Sequence, residues 1–329
     1  MFLNRRVAAG GFTRQFLGTA IQPAQARPPL LRRAAEALDY VRIPFSWREV
    51  QPKESVADFA AVDEAVKAAG AARLSVRGGP LLSFGMRWVP DWMYIWENDY
   101  ESILEYAREH VRRCVSRHAT AVSSWVVASG LHAEGVFSFS FEQVIDLTRA
   151  AVAAVRAAAP KAGVTIELAQ PFGEYYARNQ RTLPPLLYAE MLVQSGVPFD
   201  AFGLQFICGI DADGFHVRDL MQISSLIDRL ANLGKPIHVS AVAAPSAATD
   251  TPTGWRGPWS EETQAEFLVA LTEIALSKPY VESVCAESLM DGPACAVPHG
   301  GVLREDGHPK PAFTQLAALH RRLASEPAR

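Results

Sequence analysis

The sequence of 329 residues has few of the features that would tie it to a metal, a membrane or a nucleic acid. Its four cysteines have no metal-like spacing, and no zinc motif or glycine-rich phosphate motif is present, so we expect no cofactor and no metal. No run approaches the ~18 apolar residues that a membrane helix needs. The net charge of −3, with both signs mixed along the chain, offers no surface for nucleic acid or anionic lipid. We expect the cysteines to be buried apolar side chains, with a disulfide as the open alternative.

The amino-terminal residues allow two interpretations of where the protein resides. Arg5 and Arg6 fit a weak twin-arginine export signal, but no apolar segment with a small-residue cleavage site follows them. An ordinary cytosolic start fits this pattern better. Without a clear signal peptide, we expect a cytoplasmic protein by default.

The chain does contain a regular alternation of short apolar runs and longer amphipathic segments. Apolar residues make up 49% of it, enough for a large core. Eight near-continuous apolar runs predict parallel strands covered on both faces, at 16–21, 38–45, 74–82, 122–129, 164–169, 199–207, 236–242 and 281–286. Helical patterns lie at 30–38, 56–69, 100–116, 141–159, 184–194, 216–233, 261–277 and 311–323. Eight such units without a break in composition predict the α/β class and a single-domain (β/α)8 TIM barrel over 16–329, after an extension over 1–15.

Several helix ends are marked by residues that satisfy free backbone groups. Ser140 with Gln143 has the spacing of a capping box, and Ser260 is placed to cap the helix that follows it. Three glycines mark positions where helices turn back toward strands: Gly70, Gly196 and Gly234. In a barrel of this kind, function resides in the loops that leave the carboxyl ends of the strands.

Seven fragments, in order along the chain and mostly at predicted strand ends, share one pattern. They cover 16–20, 45–47 with 51–52, 76–79 with 90–92, 125–130, 203–205, 236–241 and 306–312. Together they resemble glycoside hydrolase family 10, which contains endo-1,4-β-xylanases. The resemblance covers most of the chain and implies a TIM barrel, a β-linked polysaccharide such as xylan as ligand, and a secreted protein.

The same alignment shows where the sequence departs from the family pattern. The family's general acid/base glutamate falls on Gly130 and its nucleophile on Ala241. Its lysine falls on Ser46, its histidine on Gly79, and the asparagine beside the acid on Ser129. Retaining hydrolysis needs a carboxylic acid and a carboxylate about 5–5.5 Å apart, which glycine and alanine cannot supply. We therefore expect no hydrolysis by the family mechanism.

Two other carboxylates are predicted substitutes on the same rim. Glu174 follows the fifth strand in a turn with two tyrosines, and its alternative role is an ion pair with Arg178 or Arg181. Glu287 ends the eighth strand and is expected to be either functional or paired with an arginine. A third rim glutamate, Glu134, is expected to be solvated.

Five residues are predicted to bind the ligand. Gln205 is the one sugar-binding polar residue of the family pattern that this sequence retains. The four aromatic candidates are Trp88, Trp92, Tyr175 and Trp255. For the tryptophans of the loop after the third strand, packing on the barrel is the favoured alternative to sugar stacking. Trp255 belongs to a loop over 245–258 that is long enough to form a lid.

Two functions follow from these features. In the first, the protein is an O-glycosyl hydrolase that acts on a β-linked polysaccharide through Glu174 and Glu287 as substitute catalytic residues. In the second, it is a non-catalytic pseudoenzyme that binds a glycan or another protein. The combined loss of acid, nucleophile and polar neighbours slightly favours the second function. The partner that we expect is a carbohydrate, with another protein as the alternative in the second function, rather than a nucleic acid or a membrane.

Overall fold

The computed structural model describes residues 6, 12, 15–133, 136–212, 214–249 and 254–324. Eight parallel strands form a closed barrel, in which each strand pairs with the next and β8 pairs with β1. The strands are β1 (Leu17–Ala20), β2 (Tyr40–Ile43), β3 (Ser75–Gly78), β4 (Val122–Ser129), β5 (Gly163–Leu168), β6 (Ala201–Ile207), β7 (Ile237–Ala243) and β8 (Val281–Ala286). The predicted α/β class, TIM barrel and single-domain organisation are confirmed.

Helices surround the barrel and follow the strands in sequence. Within the described ranges they are α1 (Pro28–Ala35), α2 (Trp47–Val50), α3 (Ala60–Ala71), α4 (Tyr100–His118), α5 (Phe141–Ala158), α6 (Pro185–Gln194), α7 (Leu220–Ala231), α8 (Glu261–Leu276) and α9 (Pro311–Ala324). Short 3-10 turns lie at Pro23–Gln25, Asp91–Trp96 and Glu174–Ala177. None of these helices combines the length and apolarity that a membrane span requires.

The capping predictions are confirmed at two helices. Ser140 and Gln143 form the capping box of α5, and Ser260 accepts a hydrogen bond from the Thr263 N–H at the start of α8. Among the glycines, Gly196 and Gly234 have left-handed φ values of 67° and 76° at helix ends. All four cysteines are free, and three of them are buried.

Two of the wrongly predicted helix boundaries have a local explanation in the structure. Gly70 does not end its helix, because α3 continues to Ala71 and Arg73 takes the left-handed position with φ 62°. The helix predicted from residue 216 begins at Leu220, because Asp219 and Gln222 form a capping box there. An acidic residue and a glutamine three positions apart are the signal that the prediction overlooked.

Aromatic rings fill the barrel where glycines leave room for them. A Cβ on Gly18 would lie 2.4 Å from the ring of Tyr40. That ring is fixed in place, since the Tyr40 hydroxyl donates to the Val284 carbonyl at 3.2 Å and the Arg77 guanidinium lies 3.6 Å from the ring centroid. Gly18 is therefore a packing requirement of the barrel interior.

Gly18→Ala is expected to lower the free energy of unfolding by about 1–3 kcal/mol, because the Tyr40 ring must shift in a filled core. The matched control is Gly70→Ala, whose methyl group meets nothing within 4 Å on the exposed side of α3. There the same substitution is expected to stabilise the protein by about 0.5–1 kcal/mol. Chemical denaturation measures both, and equal effects of the two variants would contradict the packing argument.

Candidate functional site

A cavity of about 380 Å³ opens at the carboxyl ends of the strands. This volume lies near the lower end of the range for small-molecule sites. Its apolar lining includes Trp88, Phe215 and Ala241. The polar and charged lining residues are Gln22, Arg42, Ser46, Glu49, Ser83, Arg87, Ser129, Glu167, Gln170, Gln205 and Glu287. The position matches the end of a TIM barrel at which function is expected.

The floor of the cavity is a buried ion pair between β2 and β5. Arg42 Nη1 donates to Glu167 Oε1 at 2.7 Å, and the side chain of Glu167 is only 1% exposed. The second oxygen, Oε2, accepts from the Ser129 hydroxyl at 2.5 Å and from Gln205 Nε2 at 2.6 Å. Both carboxylate oxygens of Glu167 are therefore engaged by donors from three other strands.

These donors keep Glu167 ionised. Burial alone would raise the pKa of this carboxyl, but the charge of Arg42 and the hydrogen bonds from Ser129, Ser240 and Gln205 outweigh it and lower the pKa. A carboxylate held in this way is a poor proton donor and has no free oxygen with which to attack a sugar. Glu167 was missed in the sequence because it lies inside an apolar strand, where a single glutamate was the only signal.

The strand ends where the resemblance places a catalytic pair carry no carboxylate. Ala241 of β7 lines the cavity with its methyl group. Gly130 follows the last residue of β4 with φ 68°, and its N–H donates to the backbone carbonyl of Glu167 at 3.2 Å. No acid is present at either position to protonate or attack a glycosidic bond.

Glu287 lies at the end of β8 and faces the cavity. Its side chain is half-buried, and its Oε2 accepts one hydrogen bond, from the Ala296 N–H at 3.3 Å. Burial raises the pKa of this carboxyl, and the Ala296 N–H and the charges of Arg42 and Arg87 do not offset the effect. Within the described ranges no cation lies within ion-pair distance of it, so the predicted alternative of an arginine partner is not what the structure has.

Glu174 lies elsewhere on the rim, in the 3-10 turn after β5. It forms an ion pair with Arg218 and accepts a hydrogen bond from the Gly214 N–H at 2.6 Å. The ion-pair partner predicted from the sequence was Arg178 or Arg181, whereas the structure supplies Arg218 from the segment before α7. Among the described residues, Glu174 does not contribute to the cavity lining.

The five predicted ligand-binding residues divide into two groups. Gln205 and Trp88 line the cavity. Trp92 donates from Nε1 to the Gln51 carbonyl at 2.9 Å, and the Tyr175 hydroxyl donates to the Leu183 carbonyl at 2.5 Å. Trp255 is buried against Phe267 of α8. The structure thus brings together two of the five and uses the other three for packing.

Gln170, just after β5, is a further cavity residue that the sequence did not single out. Its φ of 44° lies in the left-handed region, which non-glycine residues seldom adopt. Among the described residues, its buried Oε1 has no hydrogen-bond partner. Strained backbone of this kind is found preferentially at functional sites.

An acid, a histidine and a serine also lie in series inside the barrel, near its amino-terminal end. His238 Nδ1 is 2.8 Å from the Ser283 hydroxyl, and Nε2 is 3.6 Å from Glu282. Ser283 is fully buried, and Arg77 donates to its oxygen at 2.8 Å. Burial lowers the pKa of His238 to about 3. This serine has no access to substrate, so the series is structural.

Glu134 lies outside the described residues. In the part of the chain that the structure describes, no group of three or more histidine, cysteine, aspartate or glutamate side chains is placed to hold a metal ion.

Comparison with known proteins places this geometry in context. The family model described as "Glycosyl hydrolase family 10" matches residues 43–318. No curated protein is detectably similar in sequence. Three solved structures illustrate the likeness in fold: native xylanase 10B from Thermotoga maritima (16% identity, TM-score 0.71, 97% of each chain covered), xylanase 10B from Thermotoga petrophila RKU-1 in complex with xylobiose (17%, 0.70, 97% of this chain and 96% of that one), and GH10 from Paenibacillus barcinonensis (21%, 0.73, 98% of each).

Proposed function

Because this chain belongs to glycosyl hydrolase family 10, we propose that it binds a β-linked saccharide such as a xylan fragment in the cavity without hydrolysing it by retaining catalysis. The observation that carries the proposal is the pair of strand ends at Gly130 and Ala241. Neither residue can transfer a proton or form a glycosyl ester. The protein is then a binding barrel that keeps the architecture of an enzyme.

The remaining carboxylates support this view. Glu167 has both oxygens occupied and is held ionised by Arg42. Glu174 is held by Arg218 outside the cavity lining. Glu287 keeps an unengaged oxygen at the cavity, and the exposed Glu49 of α2 also lines it.

The polar lining suits a hydroxylated ligand. Gln205 and Ser129 stand at the floor, and Trp88 supplies an apolar ring at the side. Sugars present both hydroxyl groups and apolar C–H faces, so a cavity with both kinds of surface complements them. The solved xylanase from Thermotoga petrophila holds xylobiose, which supports xylo-oligosaccharides as the first ligands to try.

Trp88→Ala is expected to weaken binding of a xylo-oligosaccharide about tenfold, because about 1.4 kcal/mol of apolar contact is lost. Isothermal titration calorimetry with xylotetraose measures the change. Met86→Ala is the control, since Met86 belongs to the same loop, is 75% exposed and does not line the cavity. An unchanged affinity in Trp88→Ala would contradict the proposal that the saccharide binds in this cavity.

A second candidate function is hydrolysis through substitute residues. Glu287 favours it, because its raised pKa would let it serve as a general acid. Hydrolysis also needs a second carboxylate. The predicted one, Glu174, would first have to break its ion pair with Arg218, and Glu167 would have to break its ion pair with Arg42. The test is turnover of aryl β-xylosides and xylo-oligosaccharides by the wild type, Glu174→Gln and Glu287→Gln. Turnover that disappears in Glu287→Gln would replace the binding proposal by this one.

A further inference from the structure

Three carboxyl groups line the cavity. Glu49 of α2 is solvent-exposed, whereas Glu167 and Glu287 are less exposed and lie in contrasting surroundings. Glu167 is fully buried and its oxygens meet three donors, one of them a guanidinium. Glu287 is half-buried, and one backbone N–H at 3.3 Å is the sole hydrogen bond that it receives within the described ranges. One cavity therefore holds a saturated carboxylate and a carboxyl group with a free oxygen.

Three donor groups on the cavity floor are directed at Glu167. Arg42 donates to Glu167, and both the Ser129 hydroxyl and the Gln205 amide are directed at the same carboxylate. The Ser129 hydroxyl and the Gln205 amide are therefore not free to donate to a ligand. The ring and bridging oxygens of a saccharide can only accept hydrogen bonds, so they need a donor from another wall.

The charged and titratable groups around Glu287 come from four elements. Arg42 of β2 faces it but is committed to Glu167 of β5. Arg87, in the loop after β3, is solvent-exposed and lines the same cavity. Cys295 in the loop that follows β8 is the nearest titratable neighbour on its own element, and burial raises the pKa of its thiol. None of these groups supplies the close positive charge that Arg42 gives to Glu167.

We propose that Glu287 binds the saccharide as a neutral carboxylic acid, donating its O–H to a ligand oxygen, and that ionisation of Glu287 releases the ligand. This inference rests on the proposed function and adds a specificity-determining residue to it. Ionisation removes the donor and adds a negative charge to a cavity that is already lined by Glu49 and Glu167. Binding is then strong at acidic pH and weakens as the pH rises.

Stability without ligand follows the same titration. Burial raises the folded-state pKa of Glu287 above its unfolded value, so the native state keeps a proton that the unfolded chain loses. The stability of the wild type therefore falls as the pH rises from the ordinary glutamate value of about 4.3 toward the raised pKa. Glu287→Gln removes this loss and is expected to be more stable than the wild type above that window.

The experiment is calorimetric titration with xylotetraose from ~pH 4.5 to ~pH 8, for the wild type, Glu287→Gln and Glu287→Met. The wild-type affinity is expected to fall about tenfold across the range. A tenfold change in affinity corresponds to a shift of about one unit in the pKa of Glu287 on ligand binding. Glu287→Gln, whose amide keeps a donor, is expected to match the acidic wild type at every pH. Glu287→Met is expected to bind weakly throughout.

A wild-type affinity that does not change with pH, or a Glu287→Gln variant with the same pH dependence as the wild type, would overturn the role of Glu287 while leaving saccharide binding intact. Absence of binding in every protein at every pH would overturn the proposed function itself, and this inference with it. The ligand-free denaturation curves test the titration separately.

Discussion

Lys310→Met is expected to lower the free energy of unfolding by about 3–5 kcal/mol, the range for removing one partner of a buried ion pair. Lys310 is 1% exposed at the entry to α9. Its Nζ donates to Asp291 Oδ1 at 2.8 Å and to the Ser246 hydroxyl at 2.9 Å. It also donates to the carbonyls of His299 and Gly301, at 3.0 and 2.9 Å.

The loss is large because methionine fills the space of the lysine stem but satisfies none of these oxygens. Asp291 would remain as a buried charge, and two carbonyls would lose a donor. The control is Lys278→Met, which removes a lysine from a pair with the exposed Asp228 and is expected to cost less than about 1 kcal/mol. Denaturant unfolding of both variants gives the comparison, and similar losses would argue against a special role for the buried site.

Glu167→Gln is expected to destabilise the protein by about 3–5 kcal/mol, because it leaves Arg42 buried without a counter-charge. The matched exposed variant is Glu109→Gln, in a pair formed within α4, for which a loss below about 1 kcal/mol is expected. Combining Glu167→Gln with Arg42→Met removes both charges and is expected to recover part of the loss. A double variant no more stable than Glu167→Gln would contradict the ion-pair explanation.

The pH dependence of Glu167→Gln gives a second measurement of the same pair. The folded-state pKa of Glu167 lies below its unfolded value, so the pair contributes stability above the ordinary glutamate pKa of about 4.3. The wild type is expected to lose this contribution as the pH falls from about 4.3 toward the lowered folded-state pKa of Glu167. Glu167→Gln lacks this carboxyl, so its free energy of unfolding is expected to decrease less than that of the wild type as the pH falls.

The sequence predicted the barrel well because its evidence was local. All eight predicted strands overlap observed strands, and β4 and β8 agree at both ends. An apolar run and a capping serine each act over a few residues, so their effect does not depend on the rest of the fold. The absence of carboxylates at residues 130 and 241 also needs no knowledge of the fold, because the identity of each residue shows it.

The site was harder to predict because its contacts join distant parts of the chain. Arg42 and Glu167 are 125 residues apart in sequence, and no local pattern connects them. Glu174 pairs with an arginine 44 positions away, while the sequence suggested two nearer ones. Contacts within the fold also decide which aromatic candidates belong to the site. Trp88 lines the cavity, whereas Trp255 packs on Phe267.

The left-handed backbone conformation of Gly130 disfavours any residue with a side chain at this position. A glutamate reintroduced there would sit in a conformation disfavoured by roughly 1–2 kcal/mol for a residue with a side chain. If residue 130 adopted a different backbone conformation, its N–H would no longer point at the backbone carbonyl of Glu167, to which it now donates. Restoring an acid at position 130 by a single substitution is therefore expected to strain the turn, because the turn and its neighbour on β5 must change with it.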